Sequence, residues 1–260
     1  MNEAILTLTI FGSGTSTGVP VLGCQCAVCR SAVAENRRTR CSALLSWSGR
    51  NVLIDTATDF RQQALRERVT HIDAVLFSHT HADHVHGIDD LRTLASPTGA
   101  IPVFGSAEAM ATIQRVFAYI FTDEVEPGFR PKLALRTVDG PFPLFGQTVI
   151  PVPLRHGSGT ALGYRVGNLA YLTDCSAIPE HSLPLLRGLE LLVIDALRFT
   201  PHHSHLNVAD AIAVASHLGA RRTLLTHLSH EIDHHRHMSG LPNGIEFAYD
   251  GQMLTLPLPV

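Results

Sequence analysis

The chain has 260 residues, 45% hydrophobic and 17% charged, so it can bury a substantial core as one large domain or two small ones. Its formal net charge of −3 at pH 7 offers no overall basic surface of the kind that binds nucleic acid or an anionic membrane. The sequence has neither an apolar run of about 18 residues nor a signal-peptide pattern at its start, which predicts a cytoplasmic protein without a membrane span.

The chain opens with an alternating apolar pattern over residues 4–11, which predicts a strand. The glycine-rich residues 12–20 follow it. Because they lack the lysine of a phosphate-binding loop and include Pro20, we predict a turn there.

A thiol-rich loop comes next, at about residues 23–30, and it carries Cys24, Cys26 and Cys29. Clustering of this kind predicts a metal site and not a disulfide framework. Three thiolates with a fourth ligand from elsewhere suit a structural zinc ion, whose closed coordination stabilises the fold without reacting. The two other thiols, Cys41 and Cys175, are predicted to lie in the core.

Residues 30–40 carry four arginines and are predicted to form a solvated basic face. A hairpin is predicted from strands at 42–47 and 51–54, followed by a helix at 60–68. The second hairpin strand ends in Asp55. Because buried carboxylates at strand ends commonly orient a neighbouring metal ligand, we assign that supporting role to Asp55.

The densest cluster of potential ligands lies at residues 78–87, Ser-His-Thr-His-Ala-Asp-His-Val-His-Gly, directly after a predicted buried strand at 73–77. His79 and His81 are two residues apart, so in extended backbone their rings share a side. Asp83 and His84 are adjacent and can serve a second centre. Imidazole and carboxylate groups together suit divalent ions, and the alternative, a loop that is rich in histidine by chance, is disfavoured by four ligands in six residues.

The central region predicts helical residues 87–94, a strand at 101–104 and an amphipathic helix at 108–121. A polar connector at 122–131, with Asp123, Glu124 and Glu126, is predicted to be a surface loop. Three more potential ligands then follow apolar strand-like runs: His156 after 149–154, Asp174 after 169–173, and His227 after 223–226.

The pattern His-x-His-x-Asp-His at 79–84, with these three later residues, resembles the signature of the metallo-β-lactamase superfamily. The resemblance implies an α/β (α+β layered) fold, the αββα sandwich, as a single domain over residues 1–260. It also implies a two-metal site. One ion would be bound by His79, His81 and His156, and the other by Asp83, His84 and His227, with Asp174 bridging them.

Three segments resemble the PhnP-type phosphodiesterases of carbon–phosphorus lyase pathways: Gly-Cys-x-Cys-x-x-Cys at 23–29, Arg-Arg-x-x-Cys-Ser at 37–42 and Leu-Thr-His-Leu-Ser-His at 225–230. This resemblance implies that His230 is the fourth zinc ligand, that manganese occupies the active site (zinc or nickel are also accepted), and that the protein is a homodimer. It implies hydrolysis of small anionic cyclic phosphates, namely 5-phosphoribosyl 1,2-cyclic phosphate to ribose 1,5-bisphosphate in phosphonate catabolism, and 2′,3′-cyclic nucleotides.

His205 precedes a predicted helix at 208–218 that Asn207 can cap, so it lies near the positive end of that helix. It is 22 residues before His227, a separation similar to that of the catalytic histidine in PhnP-like and tRNase Z-like enzymes. We predict that His205 protonates the leaving oxygen as general acid, and we count Asp83 with it as catalytic. His202 and His203 are interpreted as polar loop residues or outer substrate contacts.

The cluster His234, His235 and His237 is predicted to lie in a solvated loop.

Three alternative functions stay open: a tRNase Z-like ribonuclease, a PqqB-like protein, and a non-catalytic metal-binding partner in a larger assembly. A tRNase Z-like enzyme should carry a basic arm for RNA, and the low net charge argues against a stable nucleic-acid partner. The complete ligand set favours phosphodiester hydrolysis.

Overall fold

The computed structural model describes residues 4–94, 99–122 and 128–258. Two seven-stranded sheets form its centre. The first has strands β1 (Ile5–Gly12), β2 (Ser42–Trp47), β3 (Arg50–Ile54), β4 (Ala74–Leu76), β5 (Ile101–Gly105), β6 (Leu133–Thr137) and β14 (Met253–Pro257) in the order β14-β1-β2-β3-β4-β5-β6. The second has β7 (Phe142–Leu144), β8 (Gln147–His156), β9 (Gly159–Val166), β10 (Leu169–Leu172), β11 (Leu191–Asp195), β12 (Arg222–Thr226) and β13 (Ile245–Phe247) in the order β13-β12-β11-β10-β9-β8-β7.

Helices cover the outer face of each sheet. The α-helices are α1 (Phe60–Arg66), α2 (Ala82–Val85), α3 (Ala107–Val116), α4 (Val208–Leu218) and α5 (His234–Met238). Short 3₁₀ helices occupy Ala34–Asn36, Ile88–Thr93, Ala118–Ile120 and Glu180–Leu186. No helix among the described residues is long and apolar enough to cross a membrane.

Three apolar layers hold this architecture together. The middle layer lies between the sheets, where Leu8 and Leu45 of the first sheet pack with Tyr164 and Val193 of the second. One outer layer lies beneath α1 and α3, and the other beneath α4. Burying both faces of each sheet in this way gives the αββα sandwich and confirms the predicted fold class.

Strand direction decides where the functional residues meet. Strands β3 to β6 are mutually parallel, as are β10 to β13, and β8 runs with β10 because both are antiparallel to β9. Ligands of open α/β sheets bind beyond the carboxyl ends of parallel strands. The seven predicted ligands of the two-metal site lie at or after the carboxyl ends of β4, β8, β10 and β12.

Helix α3 is shorter than the sequence predicts. It ends at Val116, because Phe117 leaves helical geometry at φ −108° and ψ 41°. The chain then tightens into the 3₁₀ turn Ala118–Ile120, which keeps Ile120 in the outer apolar layer. The apolar pattern that predicted a helix to residue 121 therefore continues past the end of the α-helix and into the 3₁₀ turn. Asp123, Glu124 and Glu126 of the predicted connector lie outside the described residues.

Two predictions of solvated segments are wrong in part. Arg30 and Arg37 are exposed as predicted but Arg38 is buried, and His234, His235 and His237 lie in the helix α5, not in a loop, with His234 buried. Arg38 is 2% exposed, and its guanidinium donates hydrogen bonds to the Ser229 carbonyl at 3.1 Å and to Asn36 Oδ1 at 3.3 Å. Burial lowers the pKa of Arg38 to about 10. His234 is 5% exposed at the start of α5, and its backbone N–H donates to the same Asn36 oxygen at 2.8 Å. Ser229 lies 191 residues from Arg38, and Asn36 lies 198 residues from His234, so local sequence does not reveal these contacts.

Candidate metal centre

Three of the predicted site residues end their strands in left-handed backbone. Asp55 and His227, directly after β3 and β12, each have a φ of 60°, and Asp174, two residues after β10, has a φ of 51°. This conformation is costly for residues other than glycine and persists where surrounding structure fixes it. Strain at three neighbouring strand ends marks this edge of the molecule as a functional site.

The loop after β4 carries four potential ligands. His79 lies in the loop, His81 precedes α2 as its N-cap residue, and Asp83 and His84 belong to this one-turn helix. Gly87 follows, and its N–H donates to the Thr56 carbonyl at 3.0 Å. A Cβ atom at Gly87 would collide with the Ala57 carbonyl oxygen, so only glycine lets the two loops approach this closely.

The first cluster comprises His79, His81, His156 and Asp174, with one ligand atom of each within 4.8 Å of the others. Asp174 Oδ2 lies 3.7 Å from the Nε2 atoms of both His79 and His156. His156 Nε2 and His81 Nδ1 are 3.2 Å apart. The other ring nitrogen of His156 lies 2.9 Å from the Ser204 carbonyl oxygen, which fixes the ring orientation.

The second cluster comprises Asp83, His84, Asp174 and His227. Here the other oxygen of Asp174 takes part: Oδ1 lies 3.1 Å from His84 Nε2 and 3.5 Å from His227 Nε2. Asp83 Oδ2 is 3.2 Å from the same His84 nitrogen. Asp174 therefore presents one carboxylate oxygen to each cluster, as a bridging ligand would.

The donor atoms fit divalent cations. The Nε2 atoms of His79, His84 and His227 and Asp83 Oδ2 are all buried without a hydrogen-bond partner among the described residues. Buried polar atoms left in this way are costly unless another group satisfies them. Converging imidazole nitrogens and carboxylate oxygens suit manganese, zinc or nickel.

The electrostatics favour positive charge at the same place. Burial disfavours the charged form of His227, but Asp174, Asp83 and Asp195 outweigh it and raise the pKa of His227 to about 10. At His84 the carboxylates of Asp174, Asp55 and Asp83 likewise outweigh burial and raise its pKa well above the usual value. The carboxylates around His84 and His227 thus favour positive charge at this position, which divalent cations would supply.

Asp55 lies behind the second cluster. Its Oδ2 is 2.7 Å from His84 Nδ1, and Ser78 donates to both of its oxygens, from Oγ at 2.6 Å and from the backbone N–H at 2.7 Å. The contact fixes the tautomer of His84 and directs Nε2 toward the cluster. Full burial raises the pKa of Asp55. Asp55 therefore lies where it can orient His84, and its effect on metal binding stays a prediction.

His205 lies beside both clusters. Its ring centroid is 4.6 Å from that of His227 and 4.9 Å from that of His156. Its Nδ1 is 2.7 Å from Asp195 Oδ2, and the Cys175 N–H donates to the same oxygen at 2.8 Å. The sequence analysis missed Asp195. Its signal was available, since it ends the apolar run 191–195 in the way that Asp55 follows β3.

The neighbouring histidines differ from His205. His202 Nδ1 accepts a hydrogen bond from the N–H of Ser204 at 3.3 Å, and its ring lies 5.3 Å from that of His205. Burial lowers the pKa of His202. His203 instead lines a cavity of about 740 Å³ in front of the first cluster. These positions suit a loop-stabilising role for His202 and substrate contact for His203.

A separate site gathers Cys24, Cys26, Cys29 and His230. The three sulfur atoms lie 3.3, 3.6 and 3.6 Å from His230 Nδ1. A tetrahedral zinc ion with ordinary bond lengths requires sulfur–nitrogen separations of about 3.6 Å. The backbone N–H of Cys29 donates to Cys26 Sγ and lowers the pKa of Cys26 to about 6, which favours a thiolate ligand. The four residues thus fit one closed zinc site.

The segment after β12 connects the two sites, because it carries both His227 and His230. Leu228 between them exchanges backbone hydrogen bonds with the loop after β1, since its N–H donates to the Ser13 carbonyl at 2.8 Å and its own carbonyl accepts from the Thr15 N–H at 3.2 Å. Zinc binding at His230 would therefore help to hold His227 in place.

Comparisons with known proteins agree with this geometry. Residues 50–228 match the family described as beta-lactamase superfamily domain. The crystal structure of a new diphosphatase from the PhnP family has a TM-score of 0.92 and 42% sequence identity, covering 98% of this chain and 99% of that chain. Octanoyltransferase of Porphyromonas gingivalis is 40% identical over 247 residues, 93% of this chain but 50% of that protein, so the chain spans about half the length of this curated relative. Coenzyme PQQ synthesis protein B of Methylobacterium nodulans is 29% identical over 217 residues, 72% of this chain and 71% of that protein.

Proposed function

The chain belongs to the β-lactamase superfamily and, within it, to the PhnP family, and from this membership we propose that it is a metal-dependent phosphodiesterase acting on small cyclic phosphates. The observation that carries the proposal is the pair of ligand clusters joined by Asp174, with the His205–Asp195 pair beside both. Octanoyl transfer is not proposed, because half of the Porphyromonas relative lies outside the match.

Seven residues would hold two divalent ions, most readily manganese: His79, His81, Asp83, His84, His156, Asp174 and His227. When bound, the ions would supply the positive charge and activated water that phosphodiester hydrolysis requires. A cyclic phosphodiester carries one negative charge, so it is attracted to this part of the cavity. His230 and the three clustered cysteines would hold a third, structural zinc ion.

Ring opening needs a proton at the leaving oxygen. One water is consumed: a bond forms between its oxygen and phosphorus, the ring P–O bond breaks, and the released alkoxide becomes a hydroxyl group. His205 would give that proton from Nε2, a role supported by the 2.7 Å contact of its Nδ1 with Asp195 Oδ2. The water's own proton then replenishes His205 through solvent.

A second candidate is hydrolysis of a diphosphate linkage, since the similar crystal structure is that of a diphosphatase. The two reactions place different demands on His205. A sugar alkoxide is strongly basic and needs an acid, whereas a departing phosphate is a good leaving group and needs it less. Replacing His205 should therefore impair cyclic-phosphate opening more than diphosphate cleavage.

The test compares manganese-loaded protein on 2′,3′-cyclic AMP, 5-phosphoribosyl 1,2-cyclic phosphate and ADP-ribose. We expect ring opening of a cyclic ester at the highest kcat/KM, and loss of that activity in His84→Ala. Cleavage of ADP-ribose alone would favour the diphosphatase alternative. Inactivity of metal-replete protein on all three would contradict the proposal.

A further inference from the structure

The cavity in front of the first cluster has a wall made of small and hydroxyl-bearing residues. Away from the ligand histidines it is lined by Ser106 and Glu108 at the start of α3, by Ser158 in the turn after β8 and by Thr160 at the start of β9. Glu108, Ser158 and Thr160 are exposed, so their polar groups are accessible to a substrate. Hydroxyl and carboxylate groups recognise sugar hydroxyls by hydrogen bonding.

The charge of this wall is negative. Among the described residues that line the cavity there is no lysine or arginine, and Glu108 is the one side chain that carries a full charge apart from the histidines. His203, the lining histidine outside the metal clusters, lies two residues from His205 and packs near Gly157, beside His156. It therefore belongs to the reacting end of the cavity and not to the far wall.

The start of α3 could have formed an anion site, but it is blocked. A helix N-terminus attracts phosphate through unpaired N–H groups and the positive end of its dipole. Here the Ser106 side chain accepts the N–H of Ala109 at 3.1 Å, and Glu108 sets a negative charge in the first turn. A second phosphate placed against this wall would meet a carboxylate and, among the described residues that line the cavity, no lysine or arginine.

The geometry points to a substrate whose part remote from the reacting phosphate is an uncharged, hydroxyl-rich group, with no second phosphate. The inference rests on the proposed function and narrows it. Between the substrates that the family resemblance implies, it favours cyclic phosphates of a nucleoside or unmodified sugar over 5-phosphoribosyl 1,2-cyclic phosphate. Glu108 is the residue that sets this preference, by repelling a distal phosphate and accepting hydrogen bonds from hydroxyls.

Two probes that differ in one group test the inference: ribose 1,2-cyclic phosphate and its 5-phosphorylated form, each given to manganese-loaded protein. We expect the unphosphorylated probe to have a kcat/KM at least threefold higher. At a separation of about 8 Å in water-like surroundings, repulsion between a carboxylate and a phosphate dianion corresponds to roughly three- to tenfold. A kcat/KM for the phosphorylated probe equal to or above that of the other would overturn the inference.

The variants Glu108→Gln and Glu108→Lys assign the effect to this side chain. We expect the ratio of kcat/KM for the unphosphorylated probe to kcat/KM for the phosphorylated probe to fall by roughly three- to tenfold in Glu108→Gln, and further in Glu108→Lys. Glu180→Lys is the matched control, because Glu180 is also an exposed glutamate in a first helical turn but does not line the cavity. An unchanged ratio in both Glu108 variants would overturn the role of Glu108. If neither probe is opened by metal-replete protein, while 2′,3′-cyclic AMP is also left intact, the proposed function itself fails.

Discussion

Asp195 and His205 form a 2.7 Å contact between Oδ2 and Nδ1 at the end of β11, and the Cys175 N–H donates to the same carboxylate oxygen at 2.8 Å. Asp195 is fully buried, so its position is fixed by the sheet. The contact leaves Nε2 as the nitrogen of His205 that can exchange a proton with a substrate. Both clusters of potential metal ligands adjoin this ring.

Replacement of His205 by alanine should lower kcat for cyclic-phosphate opening by about 10²–10⁴-fold, the usual contribution of a general acid. Active-site metal content should not change. Steady-state kinetics together with elemental analysis checks both expectations. His217→Ala is a suitable control, because His217 is exposed on α4. Loss of active-site metal from His205→Ala would show that His205 is a ligand instead.

Asp195→Asn extends the same test. If Asp195 acts by orienting His205, the double variant Asp195→Asn/His205→Ala should be no slower than His205→Ala alone, because the two residues work as a unit. Additive losses would show that Asp195 acts independently, through its 3.7 Å approach to His227 Nδ1.

Asp55→Asn should weaken active-site metal binding by about 10- to 100-fold, the usual effect of removing a group that orients a ligand. The amide cannot replace both the contact with His84 and the two hydrogen bonds from Ser78. Titration of the metal-free protein with Mn²⁺ measures the change. Asp73→Asn is the matched control, since Asp73 is an equally buried carboxylate that binds Arg50 away from the clusters. Equal Mn²⁺ affinity of the Asp55→Asn and Asp73→Asn variants would refute the role of Asp55.

Cys26→Ser should lose the structural zinc ion and unfold at lower temperature, because binding energy at a closed zinc site contributes to folding. His79→Ala should instead keep this zinc while losing active-site metal. Metal analysis and thermal unfolding of the two variants separate the sites. A zinc-replete Cys26→Ser protein of normal stability would remove the structural assignment.

The carboxylate of Asp233 should make a pH-dependent contribution to the stability of the fold. It caps α5 by accepting the N–H of Arg236 at 3.0 Å, and this bond, with that from Asn36, lowers the pKa of Asp233. A lowered folded-state pKa stabilises the fold above the ordinary value of about 4, and the contribution disappears as pH falls through the lowered pKa. Asp233→Ala should reduce the free energy of unfolding at pH 7 by about 0.5–2 kcal/mol.

Urea unfolding of the wild type and Asp233→Asn between pH 3 and pH 7 isolates the charge. Asparagine can also cap a helix, so the variant removes the ionisation and keeps a cap. The difference in the free energy of unfolding between the wild type and Asp233→Asn should be largest near neutral pH and should vanish at the acid end of this range. A difference that does not vary with pH would contradict the prediction.

Local sequence predicted the individual ligand residues because they follow apolar strands, and parallel strands bring such positions to one edge. His79, Asp174 and His227 are examples. The division of the ligands into two metal centres bridged by Asp174 came from the family resemblance. The contact between His230 and the cysteine loop spans 201 to 206 residues and came from the family resemblance, not from local pattern. The homodimer implied by that resemblance stays a prediction.

Other features depend on distant contacts that periodicity does not encode. Burial of Arg38 depends on the Ser229 carbonyl, which lies 191 residues away in the chain. Without that contact in view, the four arginines of residues 30–40 indicate a solvated face. Asp195 was missed for a different reason, since its apolar strand was not followed by a recognised motif. The negative charge of the cavity wall was also hidden, because Glu108 adjoins the site only once β5 and β9 are folded together.

The most direct measurement incubates 2′,3′-cyclic AMP with manganese-loaded protein. A chelator then removes the metal, and the phosphorus NMR spectrum of the products is recorded. We expect conversion of the cyclic diester signal to a single ring-opened phosphomonoester, and no conversion by His84→Ala. An unchanged diester signal, with full metal occupancy and with 5-phosphoribosyl 1,2-cyclic phosphate also left intact, would contradict cyclic phosphodiester hydrolysis at this centre.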